Sequence, residues 1–424
     1  MEGSKADGTL VVTGIGELAT ARGFTAKSGP SMRELARVKE AAIVVLRGEI
    51  AFAGPEADPG FAAAAEEAMA SGAARVDARG AACVPGFVDS HTHFIFAGFR
   101  EDEFFWRLSG MPYMEIHRKG GGIRRTMEAT RAASAQDLRE AGAERLSRML
   151  SLGVTTVEGK SGYGLDFPTE LRQLEAMRDL AASQPVRIVP TYMGAHSTPP
   201  EFEGRPGDYI DFLIKDCLPE VAAWGLARFA DVFCEKGVFG IEDSRRYLLA
   251  ARNLGLEPKL HADEVVSLGG AGLAAEVFAI SADHLLKASP KDLDAMAEAG
   301  VVATCLPLTA FSLREPYADA RGMIDRGLAL ALASDMNPGS CYSQSIPMIF
   351  ALATVAMGLS FEETLVALTL NGAAALGMAN RIGSVEAGKR GDFLLLDAPK
   401  PEHLAYHFGM NLVAQAFIGG VRAL

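Results

Sequence analysis

The stretch Val84-Pro85-Gly86-Phe87-Val88-Asp89-Ser90-His91-Thr92-His93 decides how the rest of the chain is read. A short apolar run comes after a Pro-Gly turn and ends on two histidines one residue apart. On a strand, residues i and i+2 face the same side, so both imidazoles point one way. Two neutral imidazoles on one face make half of a metal site. Alone, such a pair is only a polar strand end. Its weight comes from residues further along the chain.

Beyond the strand Phe87–His93, further apolar strands are expected at Val154–Glu158, Arg187–Thr191, Phe229–Cys234, Pro258–Ala262, Ala279–Asp283, Val301–Cys305 and Ala329–Ser334. Helical patterns separate most of them. Asp166-Phe167-Pro168-Thr169 opens one such helix with an Asx cap and a proline in its first turn, and Leu171, Leu174 and Met177 then recur on one face. Alternating strands and helices predict a parallel sheet, and this strand count is the one a closed (β/α)8 barrel needs. The flanks read differently. Ile43–Leu46, the turn Arg47-Gly48 and Ile50–Ala53 form a hairpin, Gly383–Lys389 is turn-like, and Phe393–Leu396 and Asn411–Ile418 are short strands. The fold class expected is α/β.

On a barrel, catalysis sits at the carboxyl ends of the strands. His91, His93, Glu158, His261, His284 and Asp335 each fall at or just beyond such an end, and His196 comes a few residues after its strand. His117, His403 and His407 do not join them. Three imidazoles and a carboxylate, His91, His93, His261 and Asp335, suit zinc or divalent or ferric iron. In His261-Ala262-Asp263-Glu264, the glutamate lies on the loop after a ligand, where it can move a proton to a leaving nitrogen. His284 is placed to polarise a substrate oxygen. A binuclear site would use a carboxylated lysine on the fourth strand. Lys160 comes after the second, and the fourth offers no lysine before Lys236, so one metal is expected.

The 49% hydrophobic content argues for a well-buried core. A formal net charge of −12 disfavours non-specific binding to nucleic acid or to an anionic membrane. Neither a signal-peptide pattern in Met1–Gly14 nor a membrane-length apolar run is found. Five scattered cysteines without CxxC spacing fit free thiols in the cytoplasm.

Together, VPGFVDSHTH, HADE, His284 and Ser334-Asp335-Met336-Asn337-Pro338-Gly339 resemble the amidohydrolase superfamily. Within it, the chain is similar to the imidazolonepropionase family through His93–Arg100, Gly120–Ile123, Glu158–Leu165, Gly194–His196 and Ser334–Ser340. The segment Lys160-Ser161-Gly162-Tyr163-Gly164-Leu165 is the selective one. The resemblance implies a distorted TIM barrel over residues 85–377, beside a small β-sandwich built from residues 1–84 and 378–424. It implies one zinc or iron ion per subunit on His91, His93, His261 and Asp335, with Glu264, His284 and Asp335 in the chemistry. Arg100, Tyr163, His196, Glu264, Asn337, Gly339 and Ser340 match substrate or product contacts. The implied substrate is 4-imidazolone-5-propanoate, and the implied assembly is a homodimer. Ser340 stands where threonine is expected and Ser90 where proline is usual; neither change removes a ligand or a charge. Arg100 suits a carboxylate through a bidentate fork, and Tyr163 and His196 are expected to donate to the ring. Two other readings share much of this pattern: a nucleobase aminohydrolase of the cytosine or guanine deaminase type, and a non-catalytic binding barrel.

Overall fold

The computed structural model describes residues 8–111, 115, 119 and 121–424. His117, Gly120 and the first seven residues, for which the sequence raised expectations, lie outside the described residues.

Among the described residues the strands form two sheets. The first draws on both flanks of the chain: β1 (Leu10–Thr20), β2 (Ala36–Leu46), β3 (Glu49–Pro55), β4 (Ala74–Asp77) and β5 (Ala82–Pro85). The second is β6 (Phe87–Asp89), β7 (Val154–Lys160), β8 (Arg187–Ala195), β9 (Phe229–Cys234), β10 (Glu257–Ala262), β11 (Ser281–His284), β12 (Val302–Cys305) and β13 (Leu330–Leu332). The chain then returns to the first sheet as β14 (Phe393–Leu396), β15 (Val413–Ile418) and β16 (Val421–Arg422).

The flanking sheet has the order β16-β15-β14-β5-β1-β2-β3, with β4 also on β1. The expected hairpin is β2–β3, turned by Arg47 and Gly48 at φ 48° and 84°. Positive φ at both central residues matches the right-handed twist of the strands, and the second position goes to glycine. The helix Pro59–Ala70 covers one face of this sheet through Phe61, Ala64 and Ala68 against Val11 and Val44.

The other sheet runs β6 to β13 in chain order, every pairing parallel. Its strands are buried on both faces, β7 at every residue, as helices outside and packed side chains inside require. Each expected strand is present. The first and last are shorter than expected, ending at Asp89 and Leu332 instead of His93 and Ser334. They close the barrel only at its mouth, where Thr92 bridges Met336, His93 N donates to Met336 O at 2.9 Å, and Asp335 N donates to His91 O at 3.0 Å. The Asp89 carboxylate adds to the closure, accepting from Ser334 N and Oγ at 2.9 and 2.6 Å. The barrel is therefore distorted, and the distortion lies beneath the site. Asp166 caps the helix Phe167–Ser183 as expected, accepting from Thr169 N. All five cysteines are free and buried. Among the described residues, no helix is long and apolar enough to cross a membrane.

Candidate active site and metal centre

Three short connections carry the site, and each bends through a left-handed non-glycine residue. Asp263, His284 and Asp335 have φ of 51°, 74° and 49°. Such backbone costs about 1–3 kcal/mol per residue and persists only where surroundings hold it. Here it turns the chain sharply at the strand ends, as β10, β11 and β13 leave the barrel. The Asp263 carboxylate braces its loop by accepting from the backbone N–H groups of Leu268, Gly269, Gly270 and Ala271.

The four residues read as ligands converge, although His91 and His93 lie past the end of β6 and not within it. His91 Nε2 and His93 Nε2 stand 3.5 and 3.8 Å from Asp335 Oδ1, and His93 Nε2 stands 3.3 Å from His261 Nε2. His91 Nε2 is buried without a hydrogen-bond partner among the described residues. Imidazole nitrogens buried facing one another beside a carboxylate leave lone pairs uncompensated unless a cation joins them. The donor set therefore fits a metal. Burial and neighbouring cationic groups hold all three imidazoles well below their usual pKa, in the neutral form that ligation needs. Burial pushes Asp335 up to about 7, against the hydroxyl of Thr309, which donates to it at 2.6 Å. A cation acts the other way and keeps it ionised.

A cleft of about 300 Å³ opens onto these residues. Arg100, Tyr163, His196, Glu264, His284, Asn337, Gly339 and Ser340 all line it, as do His93, His261 and Asp335. His91 lies beneath. His284 Nδ1 is 3.6 Å from Glu264 Oε1. Burial, reinforced by Asp335, raises the Glu264 carboxyl to about 8, and burial lowers His284 to about 4.

The loop after β7 is shaped by one glutamate. Glu170 accepts from Gly162 N and Gly164 N at 2.7 Å and from Leu165 N at 2.8 Å. Gly162, at φ 102°, lies so close to His196 that a Cβ would meet its Nδ1 at 2.9 Å. His196 Nδ1 pairs with Gly162 O at 2.9 Å, which makes Nδ1 the protonated nitrogen. With its pKa lowered to about 4 by burial, His196 is neutral, so Nε2 is an acceptor. That reverses the expectation that it donates. Asn337 is committed to its own loop, with Nδ2 donating to Asp335 O and Oδ1 accepting from Gly339 N and Ser340 N.

Comparison with known proteins bears on this site. Residues 251–422 match the model of the amidohydrolase family. An imidazolonepropionase of Porphyromonas gingivalis is 52% identical over 97% of this chain and 96% of its own length. Those of Bacteroides fragilis and Clostridium tetani are 53% and 50% identical, each over 96% of both chains. The chain belongs to the imidazolonepropionase family. It is a hydrolase acting on a C–N bond, and the family together with the clustered donors supports a divalent metal. Among solved structures, a zinc complex of atrazine chlorohydrolase from Arthrobacter aurescens superposes with a TM-score of 0.70. The match covers 97% of this chain and 94% of that one at 16% identity. A zinc-bound adenosine deaminase from Xanthomonas campestris gives 0.67 at 17% identity, over 98% and 92%. Both share the fold.

For an imidazolonepropionase, the sequence reading left out much of what supports the centre. Beneath the mouth, Asp283 Oδ2 sits 2.6 Å from His91 Nδ1, and Asp231 Oδ1 sits 3.2 Å from His261 Nδ1. Each carboxylate holds the proton on Nδ1 and leaves Nε2 free toward the centre. Lys160 Nζ binds Asp231 Oδ2 at 2.6 Å and Glu158 Oε1 at 2.8 Å, with Asp283 Oδ2 at 3.6 Å. Lys259 Nζ takes the other oxygen of Glu158 at 2.9 Å. Lys160, the last residue of β7, is thus an ion-pair partner under the site. The signal available in sequence was a charge inside an apolar strand: Asp231 within FADVFC, and Lys259 two residues before His261.

Proposed function

We propose that this cleft opens the ring of 4-imidazolone-5-propanoate by hydrolysis of a C–N bond, giving N-formimidoyl-L-glutamate, with His91, His93, His261 and Asp335 holding one zinc or iron ion. The convergence of three neutral imidazoles and a carboxylate at the floor of a cleft that also contains Glu264 and His284 carries the assignment of roles. When bound, the metal supplies Lewis-acid polarisation and lowers the pKa of a water.

The chain's own groups do the rest. Glu264, its carboxyl raised toward neutrality, takes up a proton and releases it to the departing ring nitrogen. His284 is neutral and has no hydrogen-bond partner among the described residues, so one ring N–H is free to donate to the oxygen that gains charge. His196 Nε2 accepts from a ring N–H, and Tyr163, packed against His93 and His196, walls the ring. Gly339 and Ser340 also line the cleft, with Asn337 shaping their loop, and Arg100 reaches the propanoate side. The same reading takes residues 1–84 with 378–424 as one composite domain and 85–377 as the catalytic barrel. The pairing of β14 with β5 supports the division. It also takes the enzyme as cytoplasmic and homodimeric.

The experiment is an ultraviolet assay of imidazolone propanoate loss, with the product identified by mass spectrometry. Formimidoylglutamate formation that stops with chelator is expected, while no turnover by metal-replete protein refutes the substrate. Glu264→Gln is expected to lower kcat about 10²–10⁴-fold with metal content unchanged. Full activity in that variant removes Glu264 from the chemistry.

A further inference from the structure

Arg100 is not the only arginine at the substrate end of the cleft. The helix Glu101–Leu108 brings Arg107 to the same wall, and both guanidinium groups meet at Gly339. A Cβ on Gly339 would collide with Nη1 of Arg100, and Arg107 Nη1 donates to Gly339 O at 3.0 Å.

The two differ in what is left open. Arg100 spends its side-on edge on Glu103, with Nε to Oε1 at 2.9 Å and Nη2 to Oε2 at 2.7 Å. Glu103 is itself fixed, being buried and accepting from Gly122 N at 3.1 Å. The side-on fork of Arg100 is therefore already taken, and what it keeps for the cleft is its end-on edge, Nη1 with the second N–H of Nη2. Arg107 is the reverse case. Its Nη1 is anchored on a carbonyl, while Nε and Nη2, the same side-on edge, are buried without a hydrogen-bond partner among the described residues. No carboxylate pairs with it among the described ion pairs, so two guanidinium groups share one glutamate and a positive charge is left over. Burial and the neighbouring Arg100 both disfavour that charge. A desolvated guanidinium with an open fork is costly unless an anion fills it.

We propose that Arg107 supplies the bidentate fork for the substrate's propanoate carboxylate, with Nη1 of Arg100 as an added contact. The inference rests on the imidazolone propanoate reading and sharpens it, because it moves the main anion contact from Arg100 to a residue the motifs do not mark. It makes Arg107 a specificity residue that selects a carboxylated tail and leaves ring chemistry to the metal end.

The test uses metal-loaded full-length protein, its Arg107→Met variant and its Arg107→Lys variant. Turnover gives KM and kcat for imidazolone propanoate. Calorimetry gives the affinity for 3-(imidazol-4-yl)propanoate and for 4-methylimidazole, which lacks the carboxylate. Arg107→Met is expected to raise KM roughly 10- to 100-fold with kcat within a few-fold, and to weaken only the carboxylated ligand by a similar factor. Arg107→Lys should recover part of the loss, since a point charge lacks the fork. Unchanged KM and ligand preference in Arg107→Met overturn the proposal. Equal weakening of both ligands also overturns it, because Arg107 then only props the Gly339 loop. If the wild type binds the carboxylated ligand preferentially but does not turn over imidazolone propanoate, the reaction assignment fails while the ligand comparison still tests Arg107.

Discussion

The interior of the flanking sheet and the lumen of the barrel are both buried, and they are filled with opposite materials. Leu10, Val12, Ile15, Ile43, Val45, Phe393, Leu395 and Phe417 make one apolar core in the flanking sheet, with Phe393 and Phe417 stacked at 4.7 Å. Below the mouth of the barrel, Glu158, Lys160, Asp231, Lys259 and Asp283 are all fully buried. Burying apolar side chains stabilises a fold directly, at about 25 cal/mol per Å². Burying ions costs several kcal/mol each before their mutual attraction returns any of it. The comparison teaches that the barrel's charges serve the site: Asp283 and Asp231 end on His91 and His261, and Lys160 pairs with both carboxylates and holds them in place.

The sharpest way to break that comparison is Lys160→Met. It leaves Glu158, Asp231 and Asp283 facing one another without their common cation. Removing one partner of a buried ion pair costs about 3–5 kcal/mol, and disturbing the groups that orient metal-bound histidines typically costs 10–100-fold in metal affinity. Urea denaturation and chelator competition measure the two. A stability loss with unchanged metal affinity would make the network a matter of folding alone.

A third buried lysine shows what happens when a single carboxylate, and not several, stands beside the ammonium. Lys389, fully buried beside the flanking sheet, is held by the carbonyls of Gly23 and Ile382 and by Ser384 Oγ, with Glu386 only at 3.4 Å. Burial lowers its pKa to about 8 from an ordinary 10.5, whereas Asp231, Glu158 and Asp283 raise that of Lys160 despite burial. Below pH 8, the folded protein carries the full cost of a buried ammonium. Between pH 8 and 10.5, the unfolded chain holds a proton that the folded one has lost, so stability rises with pH. Relative to Lys389→Met, the wild type should gain up to about 3 kcal/mol across that window. Denaturation of both proteins at pH 7.5 and 10 reads the difference. A gap independent of pH would show that Lys389 stays charged throughout.

The same contrast explains what could be read from sequence. All the barrel strands were legible because burial on both faces leaves continuous apolar runs, and the flanking hairpin because Arg47-Gly48 is a turn. The ligand candidates were legible because they stand just beyond those runs. Asp231, Asp283 and Lys259 were not, since a charge inside a strand gains meaning only from the neighbouring strand that answers it. Glu170 and Glu103 sit on helices, where the local sequence does not show which way a charged side chain turns, and each turns inward to fix backbone amides or a guanidinium. Arg107 was hidden in the same way, within an acidic helix. The ends of β6 and β13 were overextended because closure there runs through single bonds at His91, His93 and Asp335 and not through a regular ladder.

The smallest expected effect probes whether the two interiors communicate. Ile43 is fully buried on β2, opposite Val12 of β1 and Ala53 of β3. Ile43→Val removes one methylene from an apolar core and should cost about 1 kcal/mol in urea denaturation. Its route to the active site is indirect. Arg187, at the start of β8, donates to Asp392 Oδ2 at 2.6 Å just before β14, far down the barrel from the mouth. Metal affinity and kcat should therefore stay at wild-type values, since substitutions at distant sites without shared partners act independently to within a few tenths of a kcal/mol. A shift in metal affinity from this one methylene would mean that the apolar sheet helps set the spacing of the barrel strands. The division between a core that holds the fold and a lumen that holds the site would then need redrawing at Asp392.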